Sequence, residues 1–177
     1  MTYILQQAEP VLREIAQDVP IKDITSPKIR AILKDMKTAL DSQEDGVAIA
    51  APQIGVPLRI FMISGAILTA LKDPESESPK KAEPDLVFIN PVITKLSKTT
   101  AWMEEGCLSV RYLYGKVRRS TKASITAYDE SGLKFARGAS GIMAQIFQHE
   151  TDHLNGVLFI DKAKEVQDLP PSDTLKQ

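Results

Sequence analysis

The sequence predicts an α+β fold in which antiparallel sheets pack around a helix in the C-terminal half of the chain. Segments rich in β-branched and aromatic residues outnumber the helical segments. Short turns join these segments, which favours antiparallel over parallel pairing. The most apolar helical segment, GIMAQIFQHETDHL at residues 141–154, carries a His-Glu-x-x-His pattern, and it is the helix that we expect the sheets to cover.

Length and composition predict a single domain over residues 1–177. The chain has 177 residues, of which 43% are apolar and 25% charged, enough for one buried core in an ordinary globular protein. The net charge of -1 gives no overall field that attracts nucleic acid or an anionic membrane. The only cysteine, Cys107, cannot form an internal disulfide. Because no signal sequence or membrane-spanning run is visible, we expect a cytoplasmic protein without a membrane partner.

The first half of the chain predicts one helix and one buried strand. TSPKIRAILKDMKTALDSQ at residues 25–43 has a capping Thr25 or Ser26, Pro27 in its first turn and apolar residues at helical spacing. The small-residue segment EDGVAIAAPQIGVP at 44–57 is predicted to be extended and partly irregular. LRIFMI at 58–63 has the composition of a buried strand. Residues 65–84 end in a charged, proline-containing stretch, which predicts a mobile surface loop.

The second half predicts further strands before the late helix. LVFINPVITKL at 86–96 has strand composition, and the segment 122–138 is a hairpin around Asp129 and Gly132. The helix after Ser140 is predicted to stop at Asn155 and Gly156. VLFID at 157–161 is predicted to be a short strand, and residues 163–177 a polar C-terminal tail.

Both histidines of the chain lie on the late helix. His149 and His153 stand four residues apart, so that one helix face presents both imidazoles to one point, with Glu150 beside them. This His-Glu-x-x-His pattern is typical of two metal ligands with an adjacent general base. The alternative is a solvated polar helix face, but Ile142 and Ile146 make this helix apolar.

A catalytic metal usually needs a third protein ligand. No histidine follows His153, and Asp161 is the only downstream acid in an apolar setting. Upstream, Cys107 follows Gly106, and a thiolate binds borderline-soft divalent metals well. A lone cysteine is more often a small buried apolar residue. Together with the histidine pair, however, Cys107 becomes the favoured third ligand.

Three segments resemble the motifs of the peptide deformylases. GVAIAAPQIG resembles their first motif, EGCLS at 105–109 matches the second, and QHETDHLNG at 148–156 matches the third. The resemblance covers nearly the whole chain and implies a hydrolase that removes the formyl group from the N-terminal formyl-methionine of new polypeptides. Its implied partners are those nascent peptides and the ribosome exit region, and the implied state is a monomer. Its implied cofactor is one divalent ion, Fe(II) in the cell, with Zn(II) or Ni(II) as alternatives.

The resemblance also implies roles for individual residues. The metal ligands are Cys107, His149 and His153. Glu150 is the general base and acid, and Gln53 with the backbone N–H of Leu108 forms the oxyanion hole. The residues predicted to meet the substrate are Val47, Ala48, Glu105, Ile142 and Ile146. Glu105 is also predicted to orient an imidazole or to pair with Arg119.

The chain departs from the family pattern at three positions. Ala48 replaces a motif glycine, Arg111 stands where bacterial members usually carry proline, and Tyr114 aligns with a basic residue that meets the substrate in many members. These departures leave the sequence preference beyond methionine open. Two other functions stay open too, a deformylase-like binding protein with weak or no activity and a His-Glu-x-x-His metalloprotease.

Overall fold

The computed structural model describes residues 3–72 and 83–170. This part of the chain contains three α-helices, α1 (Pro27–Asp41), α2 (Gly65–Lys72) and α3 (Gly141–Leu154). Its strands are β1 (Ala48–Ala50), β2 (Ile60–Ile63), β3 (Leu86–Leu96), β4 (Thr100–Cys107), β5 (Val110–Ser120), β6 (Lys122–Tyr128), β7 (Lys134–Ser140) and β8 (Lys164–Asp168). No helix of these residues is long and apolar enough to cross a membrane.

A five-stranded antiparallel sheet supports α3. Its strand order is β1-β2-β3-β6-β7, with β1 at one edge. Phe88 of β3 stacks on Phe61 of β2 with ring centroids 4.4 Å apart, and it meets Phe147 of α3 edge to face at 5.4 Å. All three rings are fully buried. The predicted α+β fold with antiparallel sheets around the late helix is therefore confirmed.

A second, three-stranded sheet carries the cysteine. Its order is β4-β5-β8, and β4 and β5 form a hairpin closed by Leu108 and Ser109. The register shifts between Gly106 and Cys107, which places a β-bulge next to the turn. A bulge re-aims the side chain that follows it, and here that side chain is the Cys107 thiol.

The first predicted helix and the hairpin are confirmed. Helix α1 begins at Pro27, and the Ser26 hydroxyl caps it by accepting a hydrogen bond from the Ile29 N–H at 3.3 Å. Strands β6 and β7 pair from Lys122 to Ser140 across a turn in which Gly132 has φ 84°. Only glycine adopts that conformation readily.

The predicted loop at residues 65–84 begins as a helix instead. The Gly65 N–H donates to the Asp85 carboxylate at 2.8 Å, and the Ala66 N–H donates to the Ser64 hydroxyl at 3.2 Å, so the first turn of α2 is capped. Ile67 and Leu68 then pack against the core. The charged stretch at 73–82 lies outside the described residues.

Two predictions near the C-terminal end were also wrong. VLFID at 157–161 is not a strand, because the Asp161 carboxylate accepts the Leu158 N–H at 2.9 Å and closes a 3-10 turn over Phe159–Asp161. The predicted tail at 163–177 includes β8, which pairs with β5 although all of its residues are exposed. Residues 171–177 lie outside the described part.

Candidate active site

Helix α3 presents the two histidines from a fixed position. The Gln148 side chain donates to the Ser120 carbonyl at 2.9 Å and accepts the Ser120 N–H at 3.0 Å. This amide therefore completes the backbone pairing at the end of β5 and ties α3 to it. His149 and His153 follow on the same helix face, with ring centroids 5.0 Å apart.

The Cys107 thiol completes a cluster with the two imidazoles. Its Sγ lies 3.2 Å from Nε2 of His153, and one ligand atom from each of the three residues lies within 4.8 Å of the others. In a tetrahedral zinc site with bonds of about 2.0 Å to nitrogen and about 2.3 Å to sulfur, ligand atoms lie about 3.5 Å apart. The spacing of the cluster therefore fits three ligands of one divalent ion, with a fourth position left over.

The orientation of His149 is set from behind by a buried carboxylate. Glu105 Oε2 lies 2.9 Å from Nδ1 of His149, which leaves Nε2 for a metal. Arg119 donates to both oxygens of Glu105, from Nε at 2.7 Å and from Nη2 at 2.9 Å. Its Nη1 donates to Asp152 at 2.6 Å, and Asp152 also accepts from Lys162 at 2.8 Å. The chain of contacts thus runs from the surface to the imidazole.

The charges around Cys107 favour its thiolate, the form that binds a metal, in the metal-free protein. Burial opposes ionisation, but the charges and hydrogen bonds of His153 and His149 outweigh it and lower the pKa of Cys107 to about 5. Burial also opposes ionisation of Glu105, and the hydrogen bonds from Arg119 and His149 outweigh it and lower that pKa to about 2. Burial lowers the pKa of His149, whereas Cys107 and Glu105 raise it well above its usual value. A divalent cation would replace the protons that this cluster now shares.

Glu150 has the environment of a proton acceptor. It is 4% exposed, and its Oε2 has no hydrogen-bond partner within the described residues. Burial raises its pKa, and the charges of His149 and His153 lower it only in part. A carboxylate whose pKa is brought toward neutrality can both take up and return a proton.

Gln53 points an amide N–H group into the same space. Its Oε1 accepts the Ala50 N–H at 2.8 Å, and this fixes the amide so that Nε2 faces Cys107 Sγ at 3.6 Å and Ser109 Oγ at 3.1 Å. Leu108 lies in the turn after Cys107 and lines the same cavity. Both predicted oxyanion groups therefore lie beside the thiol.

A cavity of about 330 Å³ opens in front of the cluster. Its lining includes every predicted site residue except His153 and Arg119, which lie behind it. Ile142 is 41% exposed and Ile146 7%, so the first faces the cavity while the second belongs mainly to the core. The sequence analysis missed Gln145, which also lines the cavity and donates to the Glu104 carbonyl at 2.8 Å. Its position four residues before His149 was the available signal.

Ala48 lies on the edge strand that borders this cavity. The Val47 carbonyl accepts the Ser64 N–H at 2.9 Å, and pairing in an antiparallel ladder alternates, so the Ala48 N–H and C=O point away from β2. Ala48 is in extended conformation and not in the left-handed region, where its methyl group would cause strain. The edge is therefore open to an added strand.

All of these residues lie within a segment shared with a known family. The profile of the family called polypeptide deformylase matches residues 1–168. The chain belongs to the polypeptide deformylase family. "Peptide deformylase 1A, chloroplastic" of Solanum lycopersicum is 38% identical over 165 residues, which are 92% of this chain and 59% of that protein. "Peptide deformylase" of Psychrobacter cryohalolentis is 37% identical over 175 residues, 98% of this chain and 85% of the relative.

A solved deformylase shares the fold as well. The Met-Ala-Ser-bound class I type b peptide deformylase of Acinetobacter baumannii is 28% identical with a TM-score of 0.76, and the match covers 90% of this chain and 96% of that one. The chain spans about three fifths of the length of the Solanum relative and of "Peptide deformylase 1A, chloroplastic/mitochondrial" of Arabidopsis thaliana. The predicted family resemblance is therefore confirmed.

Two of the departures from the deformylase motifs meet at the rim of the cavity. Arg111 and Tyr114 both line it. A Cβ on Gly106 would come within 2.7 Å of the Tyr114 ring, so that ring packs directly on the glycine backbone. Arg111 reaches across to Asp45 and Gln43, which sequence analysis did not connect with the site.

Proposed function

We propose that this chain is a metal-dependent peptide deformylase that hydrolyses the N-formyl group of N-terminal formyl-methionine. The observation that carries the proposal is the convergence of Cys107, His149 and His153 on one point beside the buried carboxylate of Glu150. Family membership supports the same chemistry. One thiolate and two imidazoles leave a coordination position for a reactant, as in catalytic rather than structural sites.

The metal would be held by Cys107, His149 and His153, with Glu105 and Arg119 fixing the imidazole of His149. We propose Fe(II) as the ion in the cell, with Zn(II) and Ni(II) as competent replacements, because a mixed sulfur and nitrogen ligand set accepts all three. When bound, the ion supplies a Lewis acid that polarises the formyl carbonyl and makes water a stronger acid.

The protein side chains carry the proton transfers. Glu150 takes a proton from the attacking water, whose oxygen forms a bond to the formyl carbon. Charge then develops on the carbonyl oxygen, and the Gln53 amide and the Leu108 N–H are placed to donate to it. Glu150 returns the proton to the nitrogen as the C–N bond breaks, which releases formate and a free amine. Each oxyanion donor is worth about 3 kcal/mol in such reactions.

The cavity and the edge strand would bind the methionine residue. Val47, Ile142 and Ile146 offer apolar surface for its side chain, with Glu105 deeper in the site. The free Ala48 N–H and C=O would pair with the peptide backbone as an added strand. The Met-Ala-Ser bound to the Acinetobacter relative is a peptide of the kind expected after deformylation.

The test is an assay of the anaerobically purified chain reconstituted with Fe(II), Zn(II) or Ni(II). A formyl-Met tripeptide should release formate, while its acetyl analogue and a blocked peptide with only internal amide bonds should stay intact. Cleavage of the internal bonds would instead favour a metalloprotease. No formate from a folded chain with about one equivalent of metal would refute the proposal.

Glu150→Gln separates metal binding from chemistry. The variant keeps the three ligands, so we expect unchanged metal content and a large loss of turnover. Equal turnover would remove Glu150 from its proposed role. The matched control is Glu9→Gln, which changes an exposed acid outside the described lining of the cavity.

We also propose that residues 1–177 form one catalytic domain that acts as a monomer, since all of the cavity is built from one chain. A cytoplasmic or similarly reducing compartment would keep Cys107 available as a thiolate. Contact with the ribosome exit region stays a prediction, which cosedimentation with ribosomes would test. Sedimentation of the isolated protein would test the monomeric state.

A further inference from the structure

Arg111 is the one lysine or arginine that lines the cavity within the described residues. Its guanidinium Nη1 donates to both oxygens of Asp45, at 2.9 and 3.2 Å, and its Nη2 donates to Gln43. These contacts join the start of β5 to the segment before β1, across the mouth of the cavity. The Arg111 side chain is 27% exposed, so the pair stays open to a ligand.

The other charged side chains on the rim of the cavity are carboxylates, and one of them, Glu104, also faces Lys116 across the β4–β5 ladder. Asp45 and Glu104 line the same rim, whereas Glu105 lies deeper and is neutralised by Arg119. The Arg111 contacts use at most three of the five guanidinium N–H groups, and neither Nε–H nor the second Nη2–H has a hydrogen bond to any described residue, which leaves both for an incoming group. A rim of two carboxylates and one guanidinium would repel an acidic ligand if the guanidinium were removed.

The backbone beside Arg111 is held in an uncommon conformation. Tyr112 has φ 68°, a region that residues other than glycine rarely adopt. The Tyr112 carbonyl accepts the Leu169 N–H at 2.8 Å, so the strand after the rim is fixed by the segment that follows β8. Such strain is often found where a side chain must be aimed at a ligand.

The direction of a bound peptide follows from two fixed points, and this step rests on the proposed function. The formyl group must lie at the Gln53 and Cys107 end of β1, where the ligand cluster is. The next backbone unit meets the free edge at Ala48, so the peptide runs antiparallel to β1. Asp45 lies in the turn that leads into β1, three residues before Ala48, and it lines the same cavity. The residues that follow methionine therefore reach the level of Arg111 and Asp45.

We propose that Arg111 is a specificity-determining residue that reads the charge of the substrate side chains following formyl-methionine. It offsets the rim carboxylates and allows aspartate or glutamate to follow the methionine. Asp45 holds the guanidinium in place, and its own negative charge disfavours an acidic side chain on the substrate.

The test compares formyl-Met-Asp-Ala amide with formyl-Met-Lys-Ala amide, and the same pair with the charged residue third. The terminal amide confines the charge difference to one side chain. The readout is the ratio of kcat/KM for the Asp peptide to that for the Lys peptide on one preparation, so a general loss of activity cancels. Competition by the deformylated product peptides gives the corresponding ratio of binding affinities.

We expect Arg111→Gln to lower this ratio by about fivefold, and Asp45→Asn to raise it by about threefold, as expected for partly exposed charges near a ligand. Both changes should shrink as salt is raised. Arg13→Gln, which removes the surface pair between Arg13 and Asp161, should leave the ratio unchanged.

The outcomes separate the two proposals. A neutral formyl-Met-Ala-Ala amide that stays intact with wild-type, metal-loaded protein would refute the proposed function and this inference with it. Deformylation of the neutral peptide with a ratio that neither variant shifts, or that both shift in the same direction, would overturn only the assignment of Arg111.

Discussion

Removal of Arg119 tests whether the buried charges behind His149 position the metal ligand. Arg119→Met keeps an unbranched apolar stem but deletes the guanidinium and its charge. The guanidinium is 4% exposed and donates two hydrogen bonds to Glu105, whose side chain is 3% exposed. Breaking a buried ion pair from one side typically costs about 3–5 kcal/mol, because the remaining charge is left unpaired. Native stability is only about 5–15 kcal/mol in total, so the loss should be large.

The same substitution should weaken metal binding. Among the described residues, Glu105 would keep His149 and the Gln145 amide, at 3.4 Å, as its only side-chain donors. A carboxylate held by fewer groups orients the imidazole less well, and loss of such outer contacts typically lowers metal affinity by about 10–100-fold. Denaturant unfolding of the metal-free protein measures the loss of stability. Competition with a chromophoric chelator measures the loss of metal affinity.

A double variant provides the control. Arg119→Met combined with Glu105→Gln leaves no unpaired charge at the buried pair, so we expect it to be more stable than the sum of the single losses predicts, by about 2 kcal/mol or more. Additive losses, or a single Arg119→Met loss below about 1 kcal/mol with metal affinity within about twofold of wild type, would refute the reasoning.

Three further predictions follow from contacts in and around the site. Gln53→Ala should lower kcat by about 10²–10³-fold with little change in metal content, since an oxyanion donor acts on the transition state; equal loss in kcat and metal content would contradict this. Gly106→Ala should displace the Tyr114 ring and alter KM, and Tyr114→Ala in the same chain should restore it, because the new Cβ would lie 2.7 Å from the ring. Burial raises the pKa of Asp161, but hydrogen bonds from Arg13 and the Leu158 N–H lower it overall. Its stabilising effect is therefore complete above the unfolded pKa and lost as pH falls through the folded one. Arg13→Gln should cost less than about 1 kcal/mol at neutral pH and nothing in acid, as urea unfolding at both pH values would show.

The part of the candidate metal cluster that lies on one helix could be predicted from the sequence. His149, Glu150 and His153 stand on one helix at a spacing that brings the imidazoles together whatever the rest of the fold does. Cys107 is 42 positions from His149, and no periodicity connects them. Its assignment depended on the absence of a third histidine and on the affinity of a thiolate for divalent metals, and the motif resemblance then implied the same ligand.

The rim could not be predicted because its contacts have no local signal. Arg111 and Asp45 are polar, lie just outside two different motifs and meet only when β1 and β5 are brought to one cavity. The same limit explains β8, whose exposed residues have the composition of a tail and become a strand only through pairing with β5. The error at VLFID had another cause, since the hydrogen bond that the Asp161 carboxylate accepts from the Leu158 N–H outweighed strand propensity.

The physical difference between the buried network and the rim predicts where substrate preference can change. Glu105 and Arg119 each bond to more than one charged or ligating group, so altering either leaves a buried charge without its partner. Asp45 and Arg111 are partly exposed, and water can replace either partner at a cost of about 1 kcal/mol or less. In the proposed complex Ala48 would meet a peptide through its backbone, which is common to every residue, so its methyl group would change little. Variation in selectivity is therefore expected at Arg111 and Asp45, while the residues proposed to hold the metal leave little room for change.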